Sequence, residues 1–88
     1  MKPIRLTLHA FEQAIERGAS LSDIMDAIQL SEWTDAKRGR LECRQNFGYH
    51  GFWKGKLYTT KQVRPVFVEE DSEIVVITVY VYYFNTER

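Results

Sequence analysis

The stretch from Glu73 to Phe84, read as EIVVITVYVYYF, constrains the fold more than any other part of the chain. It is the longest run of apolar, β-branched and aromatic residues, and such residues suit a pleated, half-buried surface. Side chains alternate along a strand. One face should therefore carry Val75, Ile77, Val79, Val81 and Tyr83, and the other Val76, Thr78, Tyr80, Tyr82 and Phe84. The first face is aliphatic until its end, which suits packing under helices. The second offers a row of hydroxyls. Thr78 and Tyr80 read equally well as strand formers chosen for packing and as site residues. A run this apolar at a sheet edge would recruit foreign strands, so its expected place is the interior of a sheet.

The rest of the chain supplies the partners for this strand. Ile4, Leu6 and Leu8 alternate with Arg5 and Thr7, a short first strand or extended lead-in. Thr7 is a candidate N-cap for a helix over about Leu8 to Arg17, with Ala10, Phe11, Ala14 and Ile15 on its apolar face and Gly18 ending it. Ser20 and Asp23 form a capping-box pattern before a second helix whose stripe is Leu21, Ile24, Met25 and Ile28. The connector Ser31–Gly39 is polar, and its Trp33 is expected to pin it to the core. Strand-like alternation begins at Arg40. GYHGFWKGK, residues 48–56, with its three glycines, reads as a wide, flexible turn. A long strand follows from Leu57 to about Val68, where Pro65 implies a bulge, an edge or a break. The expected class is α+β: an N-terminal helical hairpin packed on an antiparallel β-meander, in one domain spanning residues 1–88.

Composition narrows the function classes. At 88 residues a chain with one cysteine, Cys43, has no intrachain disulfide and no Cys/His zinc pattern. It must rely on its own core or on a second subunit, so a homodimer is a further expectation. No apolar run is long enough for a signal peptide or a transmembrane helix, which predicts a cytoplasmic protein without a membrane partner. No phosphate loop, nucleotide fingerprint or metal cluster is present, so neither cofactor nor metal is expected. The net charge is zero, but it is unevenly spread. Residues 1–36 carry Lys2, Arg5 and Arg17 against six acids, a balance of −3. Residues 37–64 carry eight basic residues against Glu42 alone, a balance of +7. Residues 65–88 return to −4. A basic middle third suits a phosphate-rich partner.

Two side chains can transfer protons near neutral pH, His9 and His50. His9 falls in the first turn of the first helix, where anions are attracted. Arg17 lies two turns on, about 12 Å along the axis, so the two could flank one extended ligand without pairing. His50 sits among aromatic residues and suits stacking or a loop role.

The segment LTLHAFEQAIERGASLSDIMDAI resembles the opening of a small bacterial family of uncharacterised domains. That family's pattern is T-x-H-A-x-x-R-x-x-x-R-G-[IV]-S, followed by a helix of the form [DE]-[IV]-x-x-[AV]-[IL]. It continues with a Gly-Arg strand, here Gly39-Arg40, and closes with [IV]-T-x-[YV], here Ile77-Thr78-Val79-Tyr80. The family is grouped with the RelE-like ribonuclease toxins and, more distantly, with the barnase, EndoU and colicin nucleases. The resemblance implies a RelE-like fold, a metal-independent endoribonuclease, RNA as substrate and an antitoxin protein as partner. It points to His9, Arg17, Arg40, Thr78 and Tyr80 as catalytic residues. His9 would act as base or acid, Arg17 and Arg40 would stabilise charge, and Thr78 and Tyr80 would orient the phosphate. Gln13 stands where the family has its first arginine; it can hydrogen-bond a phosphate but not neutralise it. Lys61 and Arg64 are expected to grip the RNA backbone, and Tyr49, Phe52 and Trp53 to stack bases. A non-catalytic RNA- or protein-binding module with the same fold is the alternative, which Gln13 and the zero net charge favour.

Overall fold

The computed structural model describes residues 1–86. The elements are β1 (Ile4–Leu6), α1 (Leu8–Arg17), α2 (Leu21–Leu30), β2 (Thr34–Asp35), a 3-10 turn over Lys37–Gly39, β3 (Leu41–Glu42), β4 (Gln45–Trp53), β5 (Lys56–Glu69) and β6 (Ile74–Phe84). The class is α+β, two helices followed by a sheet of six strands. The strand order is β1-β6-β5-β3-β2, and β4 joins β5 on the same edge as β3. The expected antiparallel meander is β4-β5-β6. The first strand makes the sheet mixed, because β1 runs parallel to β6, with Ile4 opposite Ile74 and Leu6 opposite Val76.

Local signals set the helices. The Thr7 hydroxyl accepts from the Ala10 amide at 3.1 Å and fixes the start of α1. Gly18 ends it in the left-handed region at φ 84°, where its amide and that of Ala19 both return to the Ala14 carbonyl. At α2 the capping box closes in both directions: Asp23 N–H to Ser20 Oγ at 3.0 Å, and Ser20 N–H to Asp23 Oδ2 at 3.1 Å. Ala10 and Ala14 are buried, and their small side chains let α1 approach β6 closely. Ile24, Ala27 and Ile28 carry α2 onto β5. These residues form one core with Val63, Phe67, Ile74, Val76 and Val79. Trp33 pins its connector as expected: its indole N–H donates to the Ile28 carbonyl at 2.8 Å, and its ring meets Phe67 edge-on at 5.0 Å.

Tertiary pairing overrides the sequence pattern in three places. In β6 the register steps from Val66 opposite Thr78 to Phe67 opposite Val76, so Ile77 is an extra residue. This bulge switches the strand's faces. Ile74 and Val76, rather than Val75 and Ile77, share the helix-covered face with Val79 and Val81. The expected wide turn at residues 48–56 is mostly the strand β4. Its turn is only Lys54-Gly55, with both φ positive at 51° and 85°, the geometry of a two-residue hairpin turn. The register slips between Gly48 and Gly51, so Tyr49 and His50 form a second bulge, with His50 at φ 49°. Of the alternatives at Pro65 the structure shows the bulge: the β5–β6 register step follows one residue later, with the extra residue on β6. Pro65 itself is buried in the middle of β5, opposite Val79, beside the gap between β3 and β4. No strand there needs the N–H that proline lacks, while the Pro65 carbonyl accepts from Cys43 N–H. Finally, Phe11, Ile15 and Leu21, expected in the core, line an open apolar groove of about 400 Å³ beside β1, with Ile15 65% exposed.

Gly18 combines a left-handed backbone with a crowded site. A Cβ there would collide with the Tyr83 hydroxyl and lie 3.0 Å from the Trp53 ring. Gly18→Ala should therefore destabilise the fold by about 2 kcal/mol or more. Urea unfolding checks this, read as a lower midpoint at unchanged slope.

Candidate functional site

Helix α1 lies along β6 and meets it through polar side chains. The Gln13 carboxamide oxygen accepts from the Val79 amide at 3.1 Å and from the Thr78 hydroxyl. Arg17 Nη1 donates to the Val79 carbonyl at 2.9 Å, and its guanidinium lies 5.6 Å from the centre of the Tyr80 ring. Tyr83 donates its hydroxyl to the Arg17 carbonyl at 2.7 Å. Burial, with Tyr49 and Asp23 nearby, pushes that phenol up to about 12. His9 precedes Gln13 by one turn on α1 and is exposed.

The face of the sheet turned away from the helices carries a cavity of about 620 Å³. Strand alternation places Arg64 and Val66 of β5 and Thr78 and Tyr80 of β6 on this face, in register as pairs: Arg64 with Tyr80, and Val66 with Thr78. The connector between β2 and β3 forms the wall. Ala36 N–H reaches the Arg40 carbonyl at 2.8 Å, and Arg38 takes a left-handed conformation at φ 62°. This tight loop brings Lys37, Arg38 and Arg40 to the cavity, with Asp35 and Glu42 as its acids. Glu42 is bound to Arg64, Oε2 to Nη2 at 2.8 Å, and this hydrogen bond raises the guanidinium further above its ordinary value. Lys37, Arg38, Arg40 and Tyr80 make no side-chain hydrogen bond or ion pair among the described residues. The cavity thus presents three unpaired cations and a phenol that is 41% exposed.

Of the residues singled out in the sequence, Arg40, Arg64, Thr78 and Tyr80 come together here, with Arg17 touching Tyr80 from the helix side. His9 is not among the lining residues. Gln13 serves as an acceptor for β6. Lys61 turns to the helix side, where its Nζ donates to Asp23 at 2.8 Å and to the Gly18 carbonyl at 3.0 Å. Trp53 stacks on Tyr83 at 4.7 Å, and Tyr49 meets the same ring edge-on at 5.2 Å while its hydroxyl donates to the Phe52 carbonyl. Tyr49 and Trp53 are therefore packed within the protein, whereas Phe52 is 70% exposed. Sequence reasoning did not single out Lys37, Arg38 or Glu42. The basic run at 37–40 was a signal for the first two; the third depends on a cross-strand neighbour. Burial, with the Glu42 charge adding to it, pushes the Cys43 thiol up to about 12, and the thiol donates to the Ala27 carbonyl. It is a core residue. No group of His, Cys, Asp or Glu is placed to hold a metal ion among the described residues, and no helix among them is long and apolar enough to cross a membrane.

Comparison with protein-family models, curated proteins and solved structures returns no match to this chain.

Two variants separate scaffold from site. Gln13→Leu leaves the Val79 amide and the Thr78 hydroxyl without their acceptor, and should cost about 1–3 kcal/mol. Denaturation and faster hydrogen exchange at Val79 check it. For Lys61 the sign follows from Asp23. Burial opposes the Asp23 charge, but hydrogen bonds from Lys61 and the Ser20 amide outweigh it, so its pKa is lowered on folding. A lowered carboxylate stabilises the fold above its unfolded pKa of about 3.9, and that gain is lost as pH falls through the folded value. Lys61→Met should be destabilising at pH 7, and the gap to wild type should close below about pH 4. Melting temperatures across that range decide it.

Proposed function

We propose that this chain binds RNA in the cavity of its open sheet face and cleaves it as a metal-independent endoribonuclease of toxin type. The observation that carries the reading is the convergence of Lys37, Arg38, Arg40 and Arg64 beside Thr78 and Tyr80 on one exposed concave surface. Cations around the phenol of Tyr80 suit a phosphodiester. A single strand, with its backbone accessible and its bases splayed, fits an open sheet face better than a duplex does. The resemblance of the sequence to the RelE-like ribonuclease toxins supports the same reading.

In this reaction the ribose 2′-oxygen attacks the adjacent phosphorus and the 5′-oxygen leaves. The products are a 2′,3′-cyclic phosphate and a 5′-hydroxyl. Negative charge builds on the non-bridging oxygens in the transition state, and donors already aimed at that position stabilise it most. Arg40, which has no ion-pair partner among the described residues, fills that role, beside Arg64, which Glu42 holds in place. Tyr80 donates its hydroxyl to the phosphate. Thr78, whose hydroxyl is engaged by Gln13, holds the floor in place. A specific observation favours the non-catalytic RNA-binding module as a second reading: His9, the side chain suited to proton transfer, lies off the cavity.

Fluorescence anisotropy with a short labelled single-stranded RNA tests binding, and mass spectrometry of the products tests cleavage. Affinity should fall steeply as salt rises. Arg40→Ala should weaken binding by about tenfold and lower the salt slope by about one. RNA bound but left intact by folded protein at high concentration selects the binding module. No salt-dependent binding ends both readings.

A further inference from the structure

We infer that Glu42 accepts the proton of the attacking 2′-hydroxyl while Arg64 beside it holds the scissile phosphate. This rests on the endoribonuclease reading above. The geometry that points to it is the position of the pair. Besides the large cavity, a smaller one of about 210 Å³ lies next to it, lined by Glu32, Thr34, Cys43 and Arg44. Glu42 and Arg64 line both cavities and stand on the wall between them. An RNA strand occupying both must pass this pair, with one nucleotide on each side of it. The phosphate joining those nucleotides then lies at Arg64, next to the Glu42 carboxylate.

The other proton acceptors fit less well. His9 is exposed and off the cavity. Asp35 on the rim of the large cavity and Glu32 on that of the small one are exposed, and neither side chain has a partner among the described residues to orient it. Tyr80 presents a phenol O–H, a donor, whereas an ionised carboxylate offers acceptors only. Glu42 is fixed from both ends. Its backbone pairs with Val66 in the sheet, and its side chain is held 2.8 Å from Arg64, with 22% and 29% of the two side chains exposed. Arg64 engages only Oε2, so the other carboxylate oxygen is open to the 2′-hydroxyl proton.

The step balances without a further reactant. The 2′-oxygen gives its proton to Glu42 and forms the bond to phosphorus. The bond from phosphorus to the 5′-oxygen breaks, and that oxygen keeps the electron pair and takes a proton from water. Glu42 then returns its proton to solvent.

The test uses Glu42→Gln, which keeps a carbonyl oxygen for Arg64 but is no base. Single-turnover cleavage of a short labelled RNA is measured alongside binding of the same sequence with every 2′-hydroxyl methylated, which binds but cannot react. Cleavage should fall about 100-fold or more, while the methylated copy binds as well as before or tighter, because a negative charge has left the cavity. Arg64→Ala should lose both cleavage and binding. Glu42→Gln cleaving within about threefold of wild type, well inside the loss expected on removing a general base, overturns the inference and leaves the endoribonuclease reading standing. Loss of binding together with cleavage in Glu42→Gln also overturns it, since Glu42 would then be an anchor for Arg64. Wild-type protein that leaves RNA intact overturns the reading and the inference together.

Discussion

The structure depends on how helix α1 completes the far edge of β6. Beyond the bulge at Ile77 the strand runs on past β1, and the amide and carbonyl of Val79 point away from β5. A buried peptide group left unpaired there would cost as much as a lost hydrogen bond. Side chains stand in for the missing strand: Gln13 accepts from Val79, Arg17 donates to it, and Tyr83 ties the end of the helix back to β6. A glutamine oxygen can accept from an N–H, and an arginine has no acceptor to offer. The residue that looked like a weakened phosphate ligand is therefore the one that this edge requires. The same contacts hold Thr78 and Tyr80 at a fixed height on the opposite face.

Helix ends were legible because their signals are local. Thr7, Gly18, Ser20 and Asp23 each act on atoms within a turn of themselves, so a reader of the sequence sees the whole interaction. Four strands were legible and six are present, since the two-residue β2 lies in the polar connector and the run from Arg40 divides into β3 and β4; register was not legible at all. Nothing near Ile77 announces a bulge; it follows from β1 and β5 gripping β6 on either side. The glycines at 48, 51 and 55 have the composition of a loop, yet cross-strand pairing uses two of them inside β4 and keeps only Gly55 for the turn. Arg40, Arg64, Thr78 and Tyr80, singled out from separate stretches of sequence, line one cavity, although they come from three elements. Lys61 could have been separated from Arg64 beforehand, since residues three apart on a strand face opposite ways. Glu42 was hidden, because its part depends on Arg64, twenty-two positions later.

The charge pattern acquires a shape once folded. The basic middle third does not form one patch. Lys61 is neutralised under the helices by Asp23, and Lys54 and Lys56 sit at the hairpin tip, each over an aromatic ring. Of what remains, Lys37, Arg38 and Arg40 gather at the connector after β2 and Arg64 on β5, all at the large cavity, while Arg44 lines the smaller one. A chain with no net charge thus carries a concentrated positive potential at one concave spot, where low-dielectric walls strengthen it.

The parallel pairing of β1 with β6 joins residues 4–6 to residues 74–76. Helix α1 hangs from this early strand, yet the strand that receives it is made last. On a ribosome α2 meets β5 first, while α1 waits with its apolar face bare until Val76 and Val79 of β6 arrive to cover it. Closing so long a loop must precede most of the contacts that reward it, which slows folding relative to a helical bundle of equal size. The order of synthesis and the order of assembly therefore run in opposite directions in this chain, and nascent α1 is the segment most in need of shielding until translation reaches β6.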